Sequence, residues 1–250
     1  MPPLKTLIFI LATLHIKAQT QTQTSDSLQN SKNLKFKYES LIIPTALISY
    51  GVIGLESRSI KQLNSTTKNE LTEHIDSKLT IDDFSQYAPF LSVYGLNAAG
   101  IKGKNNFKDR TVILATAYLI MGGTVNILKN TGNVVRPDGS SKNSFPSGHT
   151  ATAFMGAEFL YQEYKDVSPW YGISGYLVAS GTGIFRMYND RHWLTDVAAG
   201  AGIGILSTKI AYWIHPLIKK TFLKDSEQVS GILMPFYNGK DYGLAFSMTF

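Results

Sequence analysis

The sequence predicts an all-α fold: a helical bundle of about six core helices, followed by a short C-terminal β-hairpin. Three observations carry that expectation. Apolar segments of helical length fill residues 40–214, and Gly, Ala, Ser or Thr interrupts most of them, which suits close helix packing better than strands. With 44% hydrophobic and 12% aromatic residues, the 250-residue chain can build a substantial core, which excludes wholesale disorder. The absence of cysteine excludes a disulfide scaffold, a thiolate zinc site and a cysteine nucleophile.

Taken in order, residues 1–18 read as an export signal or an uncleaved anchor. Lys5 supplies the positive start, residues 7–14 are an apolar run too short to span a bilayer, and Ala18 is a small residue suited to cleavage. Residues 19–40 are a flexible polar lead-in. The helical domain occupies residues 41–220, with core helices expected at 40–55, 87–99, 111–128, 150–161, 171–185 and 197–214. Residues 62–83 are polar and mixed in charge, suited to a short helix. Residues 230–250 form the hairpin, because Asn238-Gly239 is a turn signal between two strand-like runs. Of the helices, only 111–128 reads as a convincing membrane span. Glu158 and Glu163 end the fourth segment and Lys209 interrupts the sixth, and a lone charge at a span centre costs about 2.5–3.5 kcal/mol.

Twenty-four Lys and Arg against 18 Asp and Glu give a net charge of +6, which favours anionic partners. Charged residues are only 17% of the chain, yet the mean hydropathy is −0.04, between a soluble and a membrane-embedded composition. No nucleic-acid motif is present.

Three clusters are rich in phosphate-handling groups. Lys129 and Arg136-Pro137 close the third apolar segment; a basic helix end would account for them alone. Pro146-Ser147-Gly148-His149 opens the next helix, where backbone N–H groups make an anion site, although Ser147 also reads as an ordinary cap. Arg186, His192 and Asp196 form the third cluster. On a helix, the spacing of His192 and Asp196 puts them on one face, where the carboxylate can fix one ring nitrogen and free the other for attack. Asp82, Asp83, Gln86, Tyr87 and Pro89 form a further polar-aromatic group, read as a helix cap or a wall of the site.

Together, Lys-x6-Arg-Pro, Pro-Ser-Gly-His and Arg-x5-His-x3-Asp, in this order, resemble the type 2 phosphatidic acid phosphatase (PAP2) and haloperoxidase superfamily. The motifs cover residues 129–196, and one position departs: Phe185 stands where the family often has Ser before the third-motif arginine.

The resemblance implies a PAP2-type phosphatase, a phosphoric ester hydrolase. His192 would be the nucleophile that forms a phosphohistidine, with Asp196 orienting it and His149 protonating the leaving group. Lys129, Arg136, Arg186, Ser147 and the Gly148 amide would bind the phosphoryl oxygens. It implies no cofactor and no metal. The substrate class would be a lipid-linked phosphomonoester or diphosphate of the phosphatidic acid, undecaprenyl diphosphate or lipid A type. The alternatives are a soluble periplasmic non-specific acid phosphatase and, remotely, a vanadium-dependent haloperoxidase. The location expected is the cell envelope, membrane-integral or membrane-associated, with the site facing the periplasm. The basic loop of Lys102, Lys104, Lys108 and Arg110 would then face the cytoplasm. The oligomeric state is not legible.

Overall fold

A computed structural model describes residues 38–73, 80–222, 230–237 and 242–249. The expected export signal at 1–18 and the lead-in up to residue 37 lie outside the described residues. After a 3-10 turn at Tyr38–Leu41, the helices are α1 (Ile42–Gly54), α2 (Arg58–Thr72), α3 (Ile81–Ser85), α4 (Ala88–Ala98), α5 (Phe107–Gly132), α6 (Gly148–Tyr164), α7 (Pro169–Tyr188) and α8 (Leu194–Phe222). The strands β1 (Ser230–Tyr237) and β2 (Tyr242–Thr249) pair antiparallel, with Tyr237 opposite Tyr242. The turn between them lies outside the described residues.

The six apolar segments are the cores of α1 and α4–α8. Apolar periodicity alone underestimates their length, because polar terminal turns are fixed by caps. Asn106 caps α5 by accepting from the Asp109 N–H at 2.8 Å, and Asn133 ends it in the left-handed region at φ 46°. Ser147 and Ser168 cap α6 and α7 in the same way, with Pro169 in the first turn of α7. The polar stretch at 62–83 holds parts of two helices, the end of α2 and the start of α3.

α6 is the central helix. Ala151, Ala153, Met155, Ala157, Phe159 and Tyr164 are all inaccessible, and they pack between α4, α7 and α8. The α6–α8 crossing is so close that backbone meets backbone. A Cβ on Gly204 would lie 2.3 Å from the Ala151 carbonyl oxygen, and one on Gly200 would lie 2.5 Å from that of Ser147. Only glycine fits there.

The outward faces are apolar. Leu119 on α5 is 75% exposed and Leu177 on α7 is 69% exposed, with Ile43 and Ile53 on α1 and Leu217 on α8 also outward. Among the described residues, the helices α5 and α8 are each long and apolar enough to cross a membrane, and the bent pair of α1 and α2 passes the same test when taken as one span. That corrects the expectation of one span. Lys209 does not face lipid alone, because its Nζ lies 2.7 Å from Glu158 Oε1, which also accepts from Gln162 at 2.6 Å. Tyr176 donates to the other oxygen of Glu158. A charge paired inside the bundle avoids the cost that a lone one would carry in lipid.

Candidate active site

The up-and-down run of the helices gathers four termini at one end: the C-termini of α5 and α7 and the N-termini of α6 and α8. The three sequence clusters sit on those termini, so elements distant in sequence meet there. Both helix N-termini direct the positive end of their dipole toward that end.

The third cluster is the most deeply set. His192 is 3% exposed and Asp196 inaccessible. His192 precedes α8 rather than lying on it, which corrects the expected one-face helical pairing. Asp196, in the first turn, reaches back so that its Oδ2 accepts from the Trp193 N–H at 2.9 Å, in the manner of a capping box. That contact folds His192 over the helix start and puts its Nδ1 3.5 Å from Asp196 Oδ2. Ser144 bridges the pair, donating to Asp196 Oδ2 at 2.5 Å with its Oγ 3.5 Å from His192 Nδ1. Burial, reinforced by Lys129 and Arg186, pushes the imidazole down to about 4, with Asp196 opposing. His192 is therefore neutral at ordinary pH.

The second cluster divides its labour. The Ser147 hydroxyl is fully buried and spent within α6, 2.8 Å from Thr150 Oγ1 and accepting from the Thr150 N–H at 3.4 Å. Its N–H donates to the Asp196 carbonyl at 3.0 Å, which joins the starts of α6 and α8. The position of Gly148 faces Lys129: a Cβ there would lie 3.9 Å from Lys129 Cε.

In the first cluster, one asparagine organises both cations. Lys129 Nζ donates to the Asn143 carbonyl at 2.6 Å, and Arg136 Nε to Asn143 Oδ1 at 3.2 Å. Arg136, His149 and Arg186 line a single cavity of about 400 Å³, together with Asp82, Asp83, Asn189 and Arg191. The two carboxylates of α3 were read as cap or wall, and they are wall. Asp82 is 1% exposed, accepts from Arg186 Nη1 at 2.6 Å and from Asn189 Nδ2 at 3.0 Å, and so aims the guanidinium. Arg186 Nε is buried without a partner. Asp83 accepts from or donates to His149 Nε2 at 2.9 Å, according to protonation. Burial and the nearby Arg186 cation lower the His149 pKa from its usual 6.5, with Asp83 opposing.

One supporting helix gave no motif. α2 bends 96° from α1 and crosses the site end. Asn64 is buried there and makes a reciprocal pair with Thr195, donating to its Oγ1 at 3.0 Å and accepting from its N–H at 3.3 Å. Lys68 donates to the Pro137 carbonyl at 2.9 Å, lies 3.8 Å from Asp190 and stands over the Trp193 ring. A second cavity of about 430 Å³ lies beside it, between the α1–α2 elbow and Trp193.

The bundle gathers its termini round a cationic, histidine-bearing cavity, and known proteins share part of this chain. Residues 110–220 match the family model of the PAP2 superfamily. The chain is 45% identical over 139 residues to the lipid A 1-phosphatase of Porphyromonas gingivalis, covering 55% of this chain and 31% of that protein. It is 36% identical over 74 residues to the bacitracin transport permease protein BcrC of Bacillus licheniformis, covering 30% and 34% respectively. The chain thus spans about a third of the length of either relative. Among solved structures it is similar to LpxE of Aquifex aeolicus, at 25% identity and TM-score 0.46, over 60% of this chain and 94% of that one. It is also similar to a transmembrane PAP2 type phosphatidylglycerolphosphate phosphatase of Bacillus subtilis, at 19% identity and TM-score 0.46, over 72% and 98%.

Proposed function

We propose that this chain is a phosphatase of lipid-linked phosphates that works through a phosphohistidine on His192. The observation that carries the reading is the cavity itself. Arg136, Arg186 and His149 line it, and the buried His192–Asp196 pair stands at the same bundle end. Phosphoryl transfer loads charge onto the non-bridging oxygens, and prearranged cations stabilise it.

In the first step the His192 ring nitrogen not facing Asp196 attacks phosphorus. The bond to the leaving oxygen breaks, and that oxygen takes a proton from His149. In the second step water gives a proton back to His149 and attacks phosphorus, which breaks the P–N bond and releases phosphate. Lys129, Arg136, Arg186 and the Gly148 amide hold the oxygens through both steps. Ser147 acts chiefly by fixing the start of α6, since its hydroxyl is already engaged.

A lipid substrate is favoured over a soluble one by the apolar outward faces of α1, α5 and α7 and by the two span-length helices. The relative named lipid A 1-phosphatase supports the same class. The basic loop of Lys102, Lys104 and Lys108 follows α4, and the Lys104 N–H donates to the Glu163 carbonyl at the far end of α6 from the site. By the positive-inside rule, this supports the reading that the far end is cytoplasmic and the site periplasmic. We further propose the division into an export signal or anchor at 1–18, the helical domain at 41–220 and the hairpin beyond 230.

The test measures phosphate released from a detergent-dispersed lipid phosphate and from a soluble phosphomonoester, in membrane and soluble fractions. Activity in membranes with preference for the lipid, abolished in His192→Ala and resistant to chelator, is expected. Activity confined to the soluble fraction and indifferent to the lipid would favour the acid-phosphatase alternative. Activity that survives His192→Ala would sink the mechanism.

A further inference from the structure

The mechanism above leaves Asp83 unused, although it touches the proton donor. We propose that Asp83 is the positioning residue of His149, holding its ring and keeping it charged for protonation of the leaving group. This rests on the phosphatase reading just given.

The geometry gives the contact a direction. Asp83 Oδ1 lies 2.9 Å from His149 Nε2, so the carboxylate fixes that ring nitrogen and leaves Nδ1 as the one that can face the substrate. Asp83 also lies 3.6 Å from Arg186 Nη1. The remaining charges around His149 are Asp82 on the same short helix, Arg186 on α7, and Arg136 and Arg191 on the loops lining the cavity. Three of these are cations that oppose a second positive charge on the imidazole, and Asp82 is committed to Arg186. Asp83 is the carboxylate in direct contact with the ring, and it favours the imidazolium.

Asp83 is also a fixed part of the wall rather than a loop group that happens to touch. Its neighbour Asp82 is locked to Arg186 and Asn189, and Ser85 Oγ lies 2.8 Å from Thr182 Oγ1 on α7. Gln86 Nε2 donates to the Asp83 carbonyl at 2.9 Å. The adjacent carboxylates thus divide the work: the buried one aims a cation at the phosphoryl oxygens, and the half-exposed one holds the acid.

A leaving-group comparison tests this on the full-length protein in detergent. The specificity constant kcat/KM covers steps up to phosphoenzyme formation, so it isolates the bond cleavage in which His149 donates. A short alkyl phosphate, whose alkoxide needs a proton, is compared with p-nitrophenyl phosphate, which needs little help. We expect Asp83→Asn to lose about tenfold on the alkyl ester and far less on the activated one. The basic limb of its pH profile should move down by about half a unit to one unit. On a His149→Ala background, Asp83→Asn should add nothing further.

Equal losses on both esters, or an unmoved basic limb, would overturn the proposal and leave Asp83 with a merely structural part. A gain in rate would overturn it too, and would make the carboxylate a plug in the substrate position. If His149→Ala itself fails to discriminate between the esters, the acid assignment and the mechanism that contains it fall instead. Thermal melting of Asp83→Asn against Asp82→Asn separates misfolding from these outcomes, since the buried Asp82 is the one whose loss should unfold the wall.

Discussion

At the residue scale, the proposed mechanism asks the two histidines at this bundle end for opposite charge states, and their surroundings supply the difference. His192 is walled off from water, so it stays neutral down to about pH 4. His149 opens to the cavity and is held below its usual value of 6.5. Activity should therefore fall on the acid side as His192 gains a proton and on the alkaline side as His149 loses one. A bell for kcat/KM with its optimum in the acidic range is expected, and Asp196→Asn should lower its height by at least a hundredfold. Steady-state rates between pH 3 and 9 on wild type and variant check this; a profile flat above pH 7 would contradict it. The same burial couples to folding. The unfolded His192 protonates near 6.5 and the folded one near 4, so the unfolded state binds more protons between those values. Stability should drop as the pH falls from 6.5 toward 4, as read by melting temperature, and His192→Asn should flatten that dependence.

At the element scale, the helix termini at the site end are held by neighbours that carry no motif. Ser144 and Asn64 show why the site was only partly legible in the sequence. Lys129, Arg136, His149, Arg186, His192 and Asp196 stand out because charged and imidazole groups at fixed spacings beside glycine and proline are rarely needed for packing. Asn64 carries no such mark, for its partner Thr195 is 131 positions away and the local pattern is that of any polar helix. Ser144 stands two residues before the Pro146-Ser147-Gly148-His149 cluster, but its bond to Asp196 depends on the tertiary meeting of a loop with the start of α8. The reading of His192 and Asp196 as helix-face partners had the right pair and the wrong backbone, since a first-turn Asp can reach behind the helix start as well as along it. Removing the cap with Asn64→Ala should cost about 1 kcal/mol and lower kcat more than it raises KM. Urea unfolding and steady-state kinetics together measure both. A loss of stability with unchanged kcat would mean that α2 does not position the site. The α6–α8 crossing predicts a harsher outcome for Gly204→Ala. The new methyl would meet the Ala151 carbonyl oxygen at 2.3 Å and the Met155 nitrogen at 2.7 Å, both main-chain atoms. A loss of about 1–3 kcal/mol or more is expected, read as a lower melting temperature.

At the scale of the whole molecule, the mean hydropathy of −0.04 hid a strong inside–outside division. Polar atoms that depress the average are paired within the bundle: Lys209 with Glu158, Asn105 with Glu163, Asp109 with Lys219. Composition sums over such pairs as if each faced solvent, which is why it underestimated the span-length helices. The fold class, by contrast, was legible early, because helix-length apolar runs with small residues leave few other architectures. Replacing Glu158 by Gln should strand the Lys209 ammonium among apolar helices and cost about 3–5 kcal/mol. Retention in the membrane fraction after detergent-free extraction, compared with wild type, checks the consequence; undiminished yield and melting temperature would show that the pair contributes nothing.

The glycine contacts at Gly200 and Gly204 reach further than packing. They join α6, which carries His149, to α8, which follows His192, main chain against main chain, with the Ser147 N–H bonded to the Asp196 carbonyl at the very end. The spacing of the two imidazoles is thus set by the backbone of α6 and α8, where they cross at Gly200 and Gly204. A change in bilayer thickness should therefore leave that spacing nearly unchanged. Reconstituted into vesicles of short- and long-chain lipids, the protein should turn over a soluble phosphomonoester at nearly the same rate, as a mechanism insulated from its own solvent would.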